Sequence, residues 1–454
     1  MKHIAICIIG LFIISITPIY AQEKWDLEKC IQHAISNNIT IKQQELNAST
    51  TKNNVRQYQW SQTPSISGSA NGSISFGRSL DNTNYTYFDK TARNGSLGVG
   101  AEVTLFGGMN VRYNISKLKL DLRSSLLEVD RTKNDISLNI AAAYLQVLFS
   151  EELVASSTNQ LQLTKMQVDR TQKLVEAGNL SQTNLFEIQS QAAQEEVNLV
   201  NAQNQLDLNY LALKQLMELT YETPFQIYKP DNLPINANYS LSSPAELFSI
   251  SQDLPQIKSA EVKVESATKG IKIAQSGYYP TLSLSAQYGS NFFSPMDIVT
   301  GKDPVTNLPI YGKQSIGNQL SKNQSTSISL NLRVPIFDNF RTKYSVNNAR
   351  IGQHLAELDL QQRKNTLYKE ISQAHADAVA ALKKYYASEK AFKSLAETFN
   401  SVEQKYNVGA ANSLDYNTAK NNLAKSESEF LQAKYQFIFR TKILDFYKGL
   451  PIKL

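Results

Sequence analysis

The stretch Tyr406–Asp415, YNVGAANSLD, holds the only glycine between Gly352 and Gly449, in a region without proline from Pro335 to Pro451. On either side, Gln353–Val408 and Ala410–Lys448 contain neither Gly nor Pro. A lone glycine between two such runs predicts a helical hairpin. Gly409 would end the first helix in a left-handed conformation, and Asn412 or Ser413 would cap the second.

This turn has a twin. Gly178 precedes Gly409 by an offset of 409 − 178 = 231 and lies between the breaker-free runs Met109–Ala177 and Asn179–Thr223, with Ser181 or Thr183 as the capping residue. The segment VTLFGGMNVRYNISKLKLD resembles VPIFDNFRTKYSVNNARIG, and their phenylalanines Phe106 and Phe337 are also 337 − 106 = 231 apart. Upstream, Pro64 and Pro280 are separated by 280 − 64 = 216, as are Lys42 and Lys258. The chain is therefore an internal duplication, and the offset grows by 231 − 216 = 15 through an insertion between Pro280 and Phe337.

The long runs carry a period of seven. Ile140, Val147, Val154, Leu161, Val168 and Val175 recur on it, and at the repeat offset so do Ile371, Ala378, Tyr385, Phe392, Phe399 and Tyr406. Beyond the glycines, Leu185, Ala192, Leu199, Leu206 and Leu213 match Tyr416, Leu423, Phe430, Phe437 and Leu444. A sustained heptad predicts coiled coil. The companion positions Ala143, Ser150, Ser157, Thr164 and Thr171 are small or polar, so these helices should pack closely. One helix over Met109–Ala177 would be about 100 Å long, too long for a compact domain.

Between the helical runs the period changes to two. SISGSANGSISF places Ile66, Ala70, Ile74 and Phe76 opposite serines and Asn71, and LGVGAEVTLF places Leu97, Val99, Ala101, Val103 and Leu105 opposite Gly, Glu102 and Thr104. TLSLSAQY and SISLNLRV repeat the pattern with Leu282, Leu284, Ala286, Tyr288, Ile328, Leu330, Leu332 and Val334. These predict strands over about 64–76, 96–106, 280–288 and 325–337, joined by loops of roughly 77–95 and 289–324. Their length suits a tilted strand crossing a bilayer, which takes about 9–11 residues. With lipid on one face and water on the other, they fit a barrel wall. Four strands do not close a barrel, and open edges are not tolerated in lipid, so several copies must share one; three would contribute twelve strands.

The N-terminus supports export. Met-Lys-His, the apolar run IAICIIGLFIISIT and then PIYA before Gln22 predict a signal peptide over 1–21, the apolar run being short for a spanning helix, which needs about 20 residues. Cys30 is the only cysteine after it, so no intrachain disulfide is expected and no lipid-anchor cysteine follows the cleavage site. The net charge of +6 is spread without a basic run, which argues against a nucleic-acid partner.

No site chemistry is expected. There is no phosphate loop, no GxSxG elbow, and Gly98-Val-Gly100 lacks the third glycine of a dinucleotide site. His33, His354 and His375 have no second histidine or cysteine at ligand spacing, so neither metal nor cofactor is predicted. Carboxylate pairs such as Glu195–Glu196 read as solvated helix surface rather than acid–base groups. The chain is read as a non-enzyme.

The duplicated organisation resembles the TolC family of outer-membrane efflux proteins. The resemblance is carried by WDLEKCIQHAISNNITIKQQE, QSGYYPTLSLSAQYG, VPIFDNF and YNVGAANSLDYNTAKNNLAKSESEF, and it covers essentially the whole mature chain. It implies an α+β membrane protein: a homotrimeric twelve-stranded transmembrane β-barrel, four strands per chain, continuing into a long α-helical coiled-coil tunnel across the periplasm. It also implies an exit duct for an inner-membrane pump, reached through a periplasmic adaptor protein. On this reading residues 22–223 form the first repeat, 224–246 an inter-repeat link at the tunnel's equator, and 247–454 the second repeat. Phe106 and Phe337, at the strand-to-helix joins, suit an aromatic belt facing outer-membrane lipid and, as lone residues, equally suit ordinary core.

By the same resemblance the two turns form the far end of the tunnel, where the pore closes and the adaptor docks. The aspartate six residues after the second glycine is Asp415, and the tyrosine three before it is Tyr406. The acidic position nine after is here Thr418, and the basic position two after is Ala411. In the first hairpin the sixth residue is Asn184, and Glu187 follows it. These departures replace a second acidic ring and an ion-pair latch. The pore-gate candidates are therefore Asp415, Tyr406, Asn184, Glu187 and Thr418, and the adaptor-contacting turns are Gly178, Leu180, Val408, Gly409 and Leu414. The alternative to the gate role is that Asp415, as a helix-start residue, merely favours the dipole. A different class of protein, a periplasmic coiled-coil adaptor or scaffold of a transport complex, also combines an export signal with helical hairpins.

Overall fold

The computed structural model describes residues 24–81, 85–89, 91–220, 222–230, 242–294 and 297–454. The predicted signal peptide lies outside these residues, as does 231–241 of the predicted link. In chain order the elements are α1 Leu27–Asn37, α2 Ile39–Trp60, β1 Ser65–Ser75, β2 Arg78–Asp81, β3 Thr86–Asp89, β4 Ala92–Gly107, α3 Asn110–Glu176 and α4 Gln182–Leu216. There follow α5 Pro244–Ile250, α6 Pro255–Gln275, β5 Thr281–Ser294, β6 Asp297–Lys302, β7 Pro309–Lys313, α7 Ile316–Lys322, β8 Ser325–Arg333, α8 Arg341–Asn407 and α9 Ser413–Tyr447. Helices α3 and α8 both have 67 residues and start 341 − 110 = 231 apart. Helices α4 and α9 both have 35 residues and start 413 − 182 = 231 apart.

The chain divides into two compact units, one of Asn47–Leu126 with Ser259–Gln361 and one of the remaining segments. The first is built on a four-stranded antiparallel sheet in the order β1-β4-β5-β8. Its register aligns the apolar residues: Ile66, Ala101, Ala286 and Ile328 form one cross-strand row, and Val103, Leu284 and Leu330 the next. The alternate rows are polar, as in Ser67–Gly100–Gln287–Ser327 and Ser65–Glu102–Ser285–Ser329. Since cross-strand partners share a face, that face is apolar over these rows and turns polar at the far end, where Arg93 pairs with Ser294. Ile66, Val99, Ile328, Leu330 and Leu332 on it are all more than half exposed.

Three strand limits differ from expectation, each for a reason. β4 begins at Ala92 and β5 runs to Ser294, because ARNGS and GSNFFS pair through their backbones without any apolar alternation. β8 stops at Arg333 rather than 337, opposite the first residue of β5, and Pro335 just beyond has no N–H for a ladder. The predicted loops contain structure too, the ribbons β2–β3 and β6–β7 and helix α7. The fully buried Gln319 of α7 replaces a strand partner for the end of β5: its Oε1 accepts from Phe293 N at 2.8 Å and its Nε2 donates to Phe293 O at 2.9 Å. Phe106 lies within β4 beside a bulge and pairs with Leu282, and Phe337 sits between β8 and α8, edge-on to Phe340 at 5.5 Å. The two strand-to-helix joins turn alike, through left-handed pairs Gly108–Met109 and Asn339–Phe340.

The second unit has an apolar core in which Leu27, Cys30 and Ala34 of α1 meet Ile136, Ile140, Tyr144 and Leu148 of α3, with Leu213, Met217 and Ile438. The buried Tyr144 hydroxyl donates to the carbonyls of Trp25 and Tyr228, pinning two extended segments joined by a Trp25–Ile227 bridge. Among the described residues α3 is the one helix long and apolar enough to cross a bilayer, and its apolar stretch here serves this core. Farther along the helices three positions of the predicted small seam, Ser150, Thr164 and Thr171, are at most 2% exposed, while Ala143 and Ser157 are half-buried.

Candidate functional site

The turns joining α3 to α4 and α8 to α9 have one construction. Gly178 has φ 75° and Gly409 φ 79°. At the first, Gly178 N donates to Val175 O at 2.9 Å and Asn179 N to Leu174 O at 2.8 Å; at the second, Gly409 N donates to Tyr406 O at 3.1 Å and Ala410 N to Lys405 O at 2.7 Å. This is the paired-bond ending that requires a left-handed residue, hence glycine. A Cβ at either position would touch nothing within 4 Å, so the requirement is purely conformational.

The caps differ. Asn412 caps α9, its Oδ1 accepting from Asp415 N at 2.8 Å. Ser181 holds the cap position of α4 but makes no capping bond; its hydroxyl donates instead to Asn184 Oδ1 at 2.6 Å, and Thr183 lies inside the helix. Asn184 is thus engaged locally.

The hairpins are tied to each other near these turns. Ser413 Oγ donates to Glu187 Oε2 at 2.8 Å, Arg170 donates to the side chain of Asn407, and Gln191 Nε2 donates to Asn421 Oδ1 at 3.2 Å. Tyr406 stacks on Tyr416 with ring centroids 4.7 Å apart, continuing a ladder through Phe399–Tyr416 and Phe392–Phe430. The equivalent positions of the first repeat, Val175, Leu185, Val168, Leu161 and Leu199, are aliphatic, so only the second hairpin has this ladder. Burial, then the charge of Glu403, pushes the Tyr416 phenol up to about 12.

Asp415 is exposed, and its carboxylate has no hydrogen-bond or ion-pair partner among the described residues; Thr418 is exposed as well. Val408 and Leu414 are 79% and 71% exposed, while Leu180 is half-buried. The structure thus joins Glu187 to the second hairpin and Tyr406 to α9, and leaves Asp415, Val408 and Leu414 presented to the surroundings of the chain.

One expectation is overturned. Glu195 is not solvated surface: it is 5% exposed and pairs with Lys420 Nζ at 3.1 Å, while Glu196 is exposed. Thr164 donates to Glu195 and accepts from Lys420, and Gln191 Nε2 donates to Glu195 Oε1 at 3.0 Å. The physical reason is helical phase. Ile188, Glu195 and Ala202 are spaced by seven and all buried, a second seam beside the predicted one. No cluster of metal-binding side chains occurs among the described residues.

Residues 30–218 and 249–439 match the family model described as outer membrane efflux protein. Outer membrane protein TolC of Escherichia coli (strain K12) is 21% identical over 371 residues, covering 75% of this chain and 72% of that protein. The fold matches the crystal structure of CusC, with TM-score 0.75 and 16% identity over 96% of both chains. It also matches the outer membrane protein VceC from Vibrio cholerae, with TM-score 0.72 and 17% identity over 94% of this chain and 97% of that one.

Proposed function

Because the chain belongs to the outer membrane efflux protein family, we propose that it is the outer-membrane channel of a tripartite efflux or type I secretion system. Three copies join their sheets into a twelve-stranded barrel, and the helical hairpins of the two repeats, 22–223 and 247–454, form a periplasmic tunnel. The observation that carries this reading is the sheet: one face is largely apolar and exposed, and among the described residues the outer edges of β1 and β8 are unpaired. In lipid such edges need partners, and strands of neighbouring copies supply them.

The channel is passive, and an energised inner-membrane transporter drives the substrate through it. A periplasmic adaptor docks on the turns at Gly178 and Gly409, where Val408 and Leu414 offer apolar side chains to its helices. Asp415, repeated threefold around the axis, sets a negative potential at the entrance, with Tyr406, Asn184, Glu187 and Thr418 around it. The match to both hairpins and both strand pairs favours a channel over the adaptor alternative, which accounts for neither the duplication nor the lipid-facing strands. In-cell crosslinking from Val408→Cys and Leu414→Cys tests the assembly. Capture of a periplasmic hairpin protein together with its inner-membrane transporter is expected; absence of any such partner from both positions would refute it.

A further inference from the structure

The Glu195–Lys420 pair is largely withdrawn from solvent within the helical seam. Both side chains are 7% exposed, and Leu161, Leu185, Ile188, Ala202 and Tyr416 of the same three helices are buried seam residues. A buried ion pair is a poor stabiliser, because desolvation offsets its attraction and well-packed apolar residues of similar size often do as well or better. What it supplies in a heptad seam is uniqueness. Apolar rungs repeat with every heptad, so a helix displaced by one heptad, about 10 Å, still finds partners. A buried charge does not.

The pair also belongs to one combination of helices. The repeat equivalents of Glu195, Lys420 and Thr164 are Ser426 (195 + 231), Gln189 (420 − 231) and Leu395 (164 + 231), none of them charged. Only α4 against α9, with α3 closing over them, brings the carboxylate, ammonium and hydroxyl together. Lys420 donates further to Gln160 O at 3.4 Å, so α3 holds both ends of the network.

We propose that Glu195 and Lys420 are a register key: they fix the axial position of the second hairpin against the first, so that the turns at Gly178 and Gly409 end level and Ser413 meets Glu187. The pair acts on position, not on stability. This inference concerns packing within one chain and does not depend on what the channel conducts.

Full-length protein in membranes tests it by disulfide trapping. Glu187→Cys with Ser413→Cys reports the observed register, and Gln194→Cys with Ser413→Cys reports a shift of one heptad (187 + 7 = 194). The parent is expected to crosslink through the first pair alone. The double variant Glu195→Leu, Lys420→Leu should be at least as heat-stable as the parent, yet lose the first crosslink several-fold and gain the second. The exchanged pair Glu195→Lys, Lys420→Glu should restore the parental pattern. Parental crosslinking in the apolar double variant would overturn the proposal, as would failure of the exchange to restore it. Reduced heat stability of the apolar double variant would do so too, by making the pair a stabiliser.

Discussion

Ser413 Oγ donates to the Glu187 carboxylate at 2.8 Å, so the first residue of α9 is bonded to the opening turns of α4. Both residues lie at the surface, where such a bond contributes about 1 kcal/mol to holding the two hairpins together. Ser413→Ala is expected to leave thermal stability almost unchanged while making channel openings longer or more frequent. Single-channel recording checks this, and openings identical to the parent's would remove the bond from any role in closure.

The two turn glycines carry φ of 75° and 79° in open space. Gly178→Ala and Gly409→Ala should each weaken the local turn by about 1–2 kcal/mol, the cost of a left-handed residue with a Cβ. Hydrogen exchange should accelerate at the turns and nowhere else. Gly409→Asn should cost less than Gly409→Ala, because asparagine tolerates that conformation better.

The phenol of Tyr416, ordinarily ionising near 10.0, is held up to about 12 by burial. Its neutral form is the one that fits the stack on Tyr406. Stability from this group is therefore fully present below pH 10 and is lost as pH rises towards 12. Tyr416→Phe keeps the stack and should shrink the alkaline loss of stability in thermal melts between those limits. An unchanged alkaline profile would show that Tyr416 ionises alike in the folded and unfolded states.

Gln319 bonds the backbone of Phe293 on the edge that β8 does not reach. Gln319→Leu leaves that N–H and C=O without their partner, a loss of about 1–3 kcal/mol per unsatisfied group. Protease digestion should then cut faster within the segment between β5 and β8.

These features are unequally legible in the sequence. The turns announce themselves because glycine is the sole breaker in long helical runs; α3, α4 and α9 lie within those runs, whereas α8 begins at Arg341 and passes through Gly352 before its run starts. The four long strands are visible wherever apolar residues alternate, and their ends are lost where pairing continues through ARNGS and GSNFFS. Beyond that alternation, the ribbons β2–β3 and β6–β7 have strands of only four to six residues, too short to show a period. Glu195 misleads because a carboxylate beside another suggests water, whereas its helical phase with Ile188 and Ala202 decides its burial. Its partner Lys420 belongs to the other repeat, and no local pattern joins the two. The engagement of Asn184 with Ser181 depends on rotamers at the turn and has no sequence signature.

Asp415 is exposed and its carboxylate is unpartnered among the described residues beside the turn. In a threefold assembly its carboxylates attract cations, so Asp415→Ala should lower the cation preference of the channel, read as a smaller reversal potential across a salt gradient. The parent's reversal potential in the variant would leave Asp415 as a helix-start residue only.

On the proposed function this sheet is shared by three copies in a membrane. The most direct measurement is the mass of the detergent-solubilised outer-membrane protein, followed by insertion of that species into planar lipid bilayers. A trimer that conducts in discrete steps is the predicted result. A monomer that leaves the bilayer silent would contradict it.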